Sequence, residues 1–316
     1  MNAPADAGAP NLDSPELWVG FLAGVLLLLG LDLFLTTRRG HGERFSEAVA
    51  WSIFWVVLSL AFGAWLWWRH GSQPGLEFFA AYLLEKSLSV DNLFVFVLIF
   101  QSFAVPPAYQ HRVLFWGVLG ALILRGTLIL AGVALVHRFR WVIAVFGAVL
   151  VYSAVKIMLH REAEERAPSD NPVVRFVRRH LPVIDTIEGP EFFVRKGARL
   201  YATPLLLAVV AAETADLVFA LDSIPAVFAV TDDSFLVFSS NVCAILGLRA
   251  LYFVVRGALL RVRYLKPGLA AILLFVGLKM LLYRWVHLAT VTSLSVIVGI
   301  LVLAVGASWL RRHRPE

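Results

Sequence analysis

Nine apolar stretches constrain this chain more than any other feature. They lie near residues 17–36, 47–67, 76–100, 112–136, 141–159, 203–228, 235–255, 267–284 and 289–310. A hydrocarbon core of about 30 Å takes about 20 apolar residues in a helix. In lipid the backbone must satisfy its own hydrogen bonds, which leaves helices or closed barrels. Runs this long predict helices. With 59% hydrophobic and only 16% charged residues, against about 25% charged in soluble domains, no soluble fold could hide so much apolar surface. The expected fold is an all-α polytopic membrane protein of about nine transmembrane helices, with the lipid bilayer as its solvent.

The net charge of +6 does not mark a nucleic-acid surface, because the basic residues cluster in the segments between apolar stretches. Lys and Arg there set topology and favour the cytoplasmic side. With the N-terminus outside, the inside segments hold 19 of the 28 Lys and Arg: Arg38, Arg39, Arg44, Arg112, a group from Arg161 to Arg199, Arg256, Arg261, Arg263, Lys266, Arg311, Arg312 and Arg314. The outside segments hold four (Arg69, Arg138, Arg140 and Arg284), and Asp232 and Asp233 make the loop after the sixth stretch acidic. The N-terminus is therefore expected outside and the C-terminus inside. The first 16 residues carry Asp6, Asp13 and Glu16 but no Lys or Arg. A secretory signal needs a basic start, so no cleaved targeting segment is expected. Cys243 is the single cysteine, too few for an intrachain disulfide or a thiolate metal cage; a small packing residue is expected there.

The expected organisation is an extracytoplasmic tail over 1–16, two accessory helices over 17–67, a three-helix unit over 76–159, a basic cytoplasmic loop over 160–202, a second three-helix unit over 203–284, and a final helix and tail over 289–316. Pro168, Pro172, Pro182 and Pro190 break the loop. Within it, residues 173–179 (Val-Val-Arg-Phe-Val-Arg-Arg) mix apolar and basic side chains, which predicts either a short amphipathic helix on the membrane surface or a solvated linker.

The two three-helix units resemble each other. The third stretch has Glu85, five residues, then Asp91-Asn92; the sixth has Asp216, five residues, then Asp222-Ser223. Arg125 then matches Arg249, and Lys156 matches Lys279, at offsets of 131, 124 and 123 residues for the acid, arginine and lysine. A unit of three helices flips when duplicated. Two inverted repeats are expected, with a site between them at the midplane.

An ionisable group at the bilayer centre costs at least ~2.5–3.5 kcal/mol, so five would cost on the order of 10 kcal/mol if exposed to lipid. Glu85, Asp91, Glu213, Asp216 and Asp222 must therefore face a polar interior. Glu213 and Asp216 share a helical face. Asp216 and Asp222 are separated by a rise of about 9 Å and a rotation of roughly 240°, and reach one site only if the helix bends or the path wraps. Pro225 leaves the carbonyl of Leu221 without its helical donor. Carboxylates with Asn92, Ser223, Asn241 and backbone carbonyls form a hard oxygen set, which suits Mg²⁺, Ca²⁺ and Mn²⁺ over zinc or copper. Glu85 and Glu213 are candidates to carry protons as well. The alternative is a scaffold in which Lys86, Arg125, Arg249 and Lys279 neutralise the acids as intramembrane charge partners. Buried pairs seldom stabilise enough to offset their desolvation, and five acids against four bases leave a net negative interior suited to a cation. Asp32 is expected to be interfacial or a helix-packing acid, and His137, His160 and His287 interfacial. The sequence lacks G-x-S-x-G, a phosphate-binding Gly-Lys loop and H-E-x-x-H, so no enzyme and no resident cofactor are expected.

The runs 85–92 (Glu-Lys-Ser-Leu-Ser-Val-Asp-Asn) and 219–226 (Phe-Ala-Leu-Asp-Ser-Ile-Pro-Ala), with 192–196 (Phe-Phe-Val-Arg-Lys) and 245–250 (Ile-Leu-Gly-Leu-Arg-Ala), resemble the TerC family of membrane proteins, nearest to its Alx-type branch, and the similarity spans nearly the whole chain. The resemblance implies a protein of the bacterial inner (cytoplasmic) membrane related to LysE-like transporters. It implies export of Mn²⁺, with the acids of the third and sixth stretches as the metal site. Some members are tied to tellurite resistance or the alkaline response. Two functions are expected from this: a secondary transporter of divalent metal, or a membrane scaffold or stress-response factor whose acids are structural pairs. The residues do not separate Mn²⁺ from Ca²⁺ as substrate, and they name no protein partner.

Overall fold

A computed structural model of the chain describes residues 12, 14–38, 45–139, 141–159, 168–187, 189–197, 199–258, 265–282 and 288–312, without the side chains of 33–38, 90–92, 94, 256–258, 265–266, 305 and 309–312. The helices are α1 (Pro15–Arg38), α2 (Phe45–His70), α3 (Ser72–Ser102), α4 (Pro107–Arg138), α5 (Val142–Leu159), α6 (Pro172–His180), α7 (Pro204–Phe228), α8 (Ser234–Leu246), α9 (Leu248–Ala258), α10 (Leu265–Leu281) and α11 (Thr290–Arg312). The chain is the all-α polytopic membrane protein its apolar stretches predict. Six helices are long and apolar enough to cross a bilayer, or seven if α8 and α9, bent by 40°, form one broken span. Helix α3, which carries Glu77, Glu85, Lys86 and Asp91, and α10, with 17 residues, fall outside that measure.

The helix starts follow local chemistry. Pro107, Pro172 and Pro204 each open a helix, where a missing N–H costs nothing and the fixed φ fits. The Asn171 side chain accepts from the amide of Val173 at 2.8 Å, and that of Asp233 from Leu236 at 2.9 Å, the usual N-cap bond. Apolar flanks such as Leu26, Leu27, Trp68, Leu303 and Val302 remain exposed on α1, α2 and α11. On a membrane protein such flanks meet lipid.

Two apolar cores are stacked along the bundle. One holds Leu84 and Leu88 of α3, Ile129 of α4, Leu150 and Ala154 of α5, Ala220 and Ile224 of α7, and Val237 of α8. The other holds Leu93 and Ile99 of α3, Val113 and Val118 of α4, Leu207 and Ala212 of α7, and Ile245 of α8. Helix α3 therefore runs from the first core to the second, and α7 runs from the second to the first. Helices α4 and α8 are likewise opposed. Helix α3 packs on α8 while α7 packs on α4, and α5 packs along α10. At the α5–α10 crossing the backbones nearly touch. A Cβ on Gly147 would lie 3.0 Å from the carbonyl oxygen of Gly277, and one on Gly277 would lie 2.9 Å from that of Gly147.

Of the two forms expected for residues 173–179, the structure has the short helix, and the loop around it is more built than expected. Residues 173–179 lie in α6, whose Val174 is fully buried against the second core while Val173 and Phe176 stay exposed. Two short strands follow, β1 (Phe193–Lys196) and β2 (Arg199–Ala202), paired antiparallel. Val183, Ile187 and Phe192 join the same core, and the Arg112 guanidinium sits 5.0 Å over the Phe192 ring. The basic loop thus closes the end of the bundle at the second core. Pro breakers signalled interruption, but the hairpin left only a weak alternation in sequence.

Candidate functional site: an arginine among carboxylates

A group of polar residues sits where the two cores meet. On α3, Glu85 follows Leu84; on α4, Arg125 lies between Val118 and Ile129; on α7, Glu213 and Asp216 lie between Ala212 and Ala220; on α8, Asn241 lies between Val237 and Ile245. Glu85 is itself flanked by Leu84 and Leu88 of the first core, and it is the arginine on α4 that joins it to α7.

Arg125 is the hub. It is 3% exposed, with Glu85 at 1% and Asp216 at 7%. Its Nη2 donates to Asp216 Oδ1 at 2.8 Å and its Nε to Asp216 Oδ2 at 3.0 Å, while Nη1 donates to Glu85 Oε2 at 2.9 Å. A longer bond of 3.3 Å reaches Ser223 Oγ. The planar fork of guanidinium matches a carboxylate bidentately. The arrangement is incomplete on the acid side. Glu85 Oε1, Glu213 Oε1 and Asn241 Nδ2 are buried without a hydrogen-bond partner. Glu213 presses its carboxyl against Gly120 of α4, where an added Cβ would collide with it. Two carboxylates share one guanidinium here, Glu213 lies one helical turn before Asp216, and a buried acceptor left unpaired costs its full desolvation. Such orphan oxygens are what a cation would satisfy.

The remaining residues sort around this cluster. Asp222 accepts from Ser153 Oγ of α5 at 2.7 Å. Helix α7 continues through Pro225, so Asp216 and Asp222 face different neighbours, α4 and α5, rather than one another. Ser223 joins the arginine cluster. Lys86 Nζ donates to the carbonyl of Ala244 at 3.3 Å, close to the α8–α9 break at Gly247, and Lys279 Nζ to that of Ala229 at 2.9 Å. The hydrogen bonds of both lysines go to carbonyls at helix ends, and Lys279 also interacts electrostatically with Glu77 of α3. Arg249 of α9 pairs with Asp32 of α1 at 2.8 Å, so Asp32 is the helix-packing acid of the two alternatives and not an interfacial one. Cys243 is buried in α8. The side chains of Asp91 and Asn92 lie outside the described residues. Among the described residues, no group of three or more His, Cys, Asp or Glu side chains stands close enough to hold a metal ion.

Sequence reasoning missed Gly120 and Ser153 as site residues. Both lay in view, Gly120 in the glycine-containing run before Arg125 and Ser153 three residues before Lys156, but neither carries a charge to mark it.

Known proteins share this chain nearly end to end. An uncharacterized membrane protein of Myxococcus xanthus, STKORF319, is 50% identical over 307 residues, covering 97% of this chain and 96% of its own. The putative membrane-bound redox modulator Alx of Salmonella typhi is 48% identical over 316 residues, covering 97% and 98%. Its namesake in Escherichia coli K12 is 48% identical over 302 residues, covering 93% and 94%. No solved structure is similar to the chain. The model of the integral membrane protein TerC family matches residues 70–316, which takes in every helix that supplies the arginine–carboxylate cluster, and the chain belongs to that family.

Proposed function

We propose that this protein is a secondary transporter that moves a divalent metal ion, Mn²⁺ foremost, out of the cytoplasm through a carboxylate-lined path at mid-depth in the membrane. The observation that carries the reading is the pair of buried, unpartnered oxygens, Glu85 Oε1 and Glu213 Oε1, within the polar group where the two cores meet. A structural ion pair needs no spare acceptors, and an ion path does. In this reading Glu85 and Asp216 bind the ion, Glu213 lines the path beside them, Asp222 and Ser223 continue it along α7, and Asp91 and Asn92 supply the matching step on α3. Nine spans run with the N-terminus outside and the C-terminus inside. The opposed courses of α3 and α7, and of α4 and α8, support two inverted repeats, with the basic loop at the cytoplasmic end.

Carboxylate and amide oxygens favour hard divalent ions, and Ca²⁺ is the nearest competitor. The test is cellular manganese by elemental analysis, in a manganese-sensitive strain lacking its own exporter. Wild type, Glu85→Gln and empty vector are compared at matched membrane expression. Wild type is expected to lower manganese and the variant to match the vector. Unchanged manganese with wild type under excess metal would reject export.

A second reading is a membrane scaffold or stress-response factor. The pairs Arg125–Asp216 and Arg249–Asp32 favour it, because each ties helices together, and the relatives' name points to a redox effect. A scaffold would lose abundance on neutralisation of its acids, whereas a transporter would keep its abundance and lose flux.

A further inference from the structure

Resting on the transport reading, we propose that Arg125 is a built-in competitor cation that reserves the Glu85–Asp216 pair for divalent ions, and that Glu213 is where its guanidinium moves when the ion enters. The four bonds above place one positive charge where an incoming ion would sit. A monovalent ion offers the same charge with less directional bonding, so it gains little by displacing the guanidinium. A divalent ion brings twice the charge to the same two carboxylates, and in a low-dielectric layer that difference is large.

The displaced arginine needs a partner, since an unpaired buried cation is costly. Glu213 supplies one. It lies one turn before Asp216 on α7, about 4.5 Å along the axis, and its Oε1 is buried and free of any hydrogen bond. It also sits against Gly120, five residues before Arg125 on α4, so the parking carboxylate faces the helix that carries the arginine. Gly120 keeps that side of α4 open.

The experiment is Mn²⁺ binding to the purified full chain in nanodiscs, read from the electron paramagnetic resonance signal of free Mn²⁺. It compares wild type, Arg125→Gln, Arg125→Lys, Glu213→Gln and Arg125→Gln/Glu213→Gln. If the vacated site is a minor state of 1–10%, removing the competitor tightens binding roughly 10- to 100-fold. Arg125→Gln should show this, and excess K⁺, against N-methylglucamine at equal ionic strength, should weaken Mn²⁺ binding to it but not to wild type. Arg125→Lys keeps the charge without the fork and should fall between, and it carries the test if Arg125→Gln does not fold. Glu213→Gln should weaken binding when Arg125 is present and leave it unchanged when Arg125 is absent. Equal weakening in both backgrounds would make Glu213 a direct ligand and overturn the parking role. Binding to both Arg125 variants no tighter than to wild type would overturn the competitor role while leaving the transport reading intact. No Mn²⁺ binding by any protein, wild type included, would reject the transport reading and this inference with it.

Discussion

Glu213 of α7 lies against Gly120 of α4, in a space that a single added methyl group would take from its carboxyl. The two helices can bring a long acid into the polar layer only because residue 120 has no side chain. Gly120→Ala is therefore expected to push the carboxyl out of its position. Overpacking typically costs about 1–3 kcal/mol, which a membrane protein of this size should survive. Membrane abundance should stay near wild type while manganese export falls to the vector level. Unchanged export would mean that Glu213 is not held where it acts.

Asp216 accepts two of the Arg125 donors, so its removal leaves the guanidinium with Glu85 and a single distant hydroxyl. Breaking a buried pair by deleting one partner costs about 3–5 kcal/mol. Asp216→Ala should lower the thermal unfolding temperature in detergent clearly more than Glu213→Gln does, because Glu213 Oε1 has no bond to lose. Equal shifts would contradict the assignment of Asp216 as the main anchor.

Much of this arrangement was legible in the sequence, and the limits have physical causes. Apolar runs marked the long helices, because lipid leaves the backbone few options, but not the break at Gly247 that divides one run into α8 and α9. The buried acids were legible because charge in an apolar run is costly wherever it points. Their partners were not. Asp32 finds Arg249 from 217 residues away, and Lys86 and Lys279 donate to carbonyls at helix ends. Such choices depend on how each helix is rotated and which neighbour it meets, and a single helix encodes neither. The hairpin at 193–202 was hidden because a four-residue strand carries too little periodicity to stand out.

The Asp32–Arg249 pair ties α1 to the start of α9, just past the bend at Gly247. A double-mutant cycle tests it. Asp32→Asn and Arg249→Gln are each expected to destabilise the protein by about 3–5 kcal/mol, with an interaction energy of about 0.5–3 kcal/mol in the double variant. The measurement is thermal unfolding in detergent, with α1 docking followed by protease accessibility of the segment after α1. Strict additivity would show that the two side chains do not act as a pair.

Ser153 gives Asp222 its hydrogen bond across the α5–α7 contact. A bond to a charged group contributes about 1.5–3 kcal/mol, so Ser153→Ala should lower stability by roughly that amount. Asp222→Asn keeps the size and the acceptor oxygen, and should fold and insert normally. In the transport reading it stops manganese export, measured as cellular manganese against the vector. Loss of abundance without a specific loss of flux would favour the scaffold.

Orientation is open to direct measurement because the chain has one cysteine. Cys243 is buried in α8, and Cys243→Ala, which removes a single sulfur atom, provides a cysteine-free background. Two exposed sites at opposite ends of the bundle then report topology: Asp232→Cys in the acidic loop between α7 and α8, and Arg178→Cys on α6 of the basic loop. A membrane-impermeant maleimide added to intact cells should label Asp232→Cys at once and Arg178→Cys only after the membrane is opened. That result places the basic loop in the cytoplasm, as the distribution of Lys and Arg requires. The reverse pattern would invert the whole bundle, and with it the direction in which the arginine–carboxylate layer passes its ion.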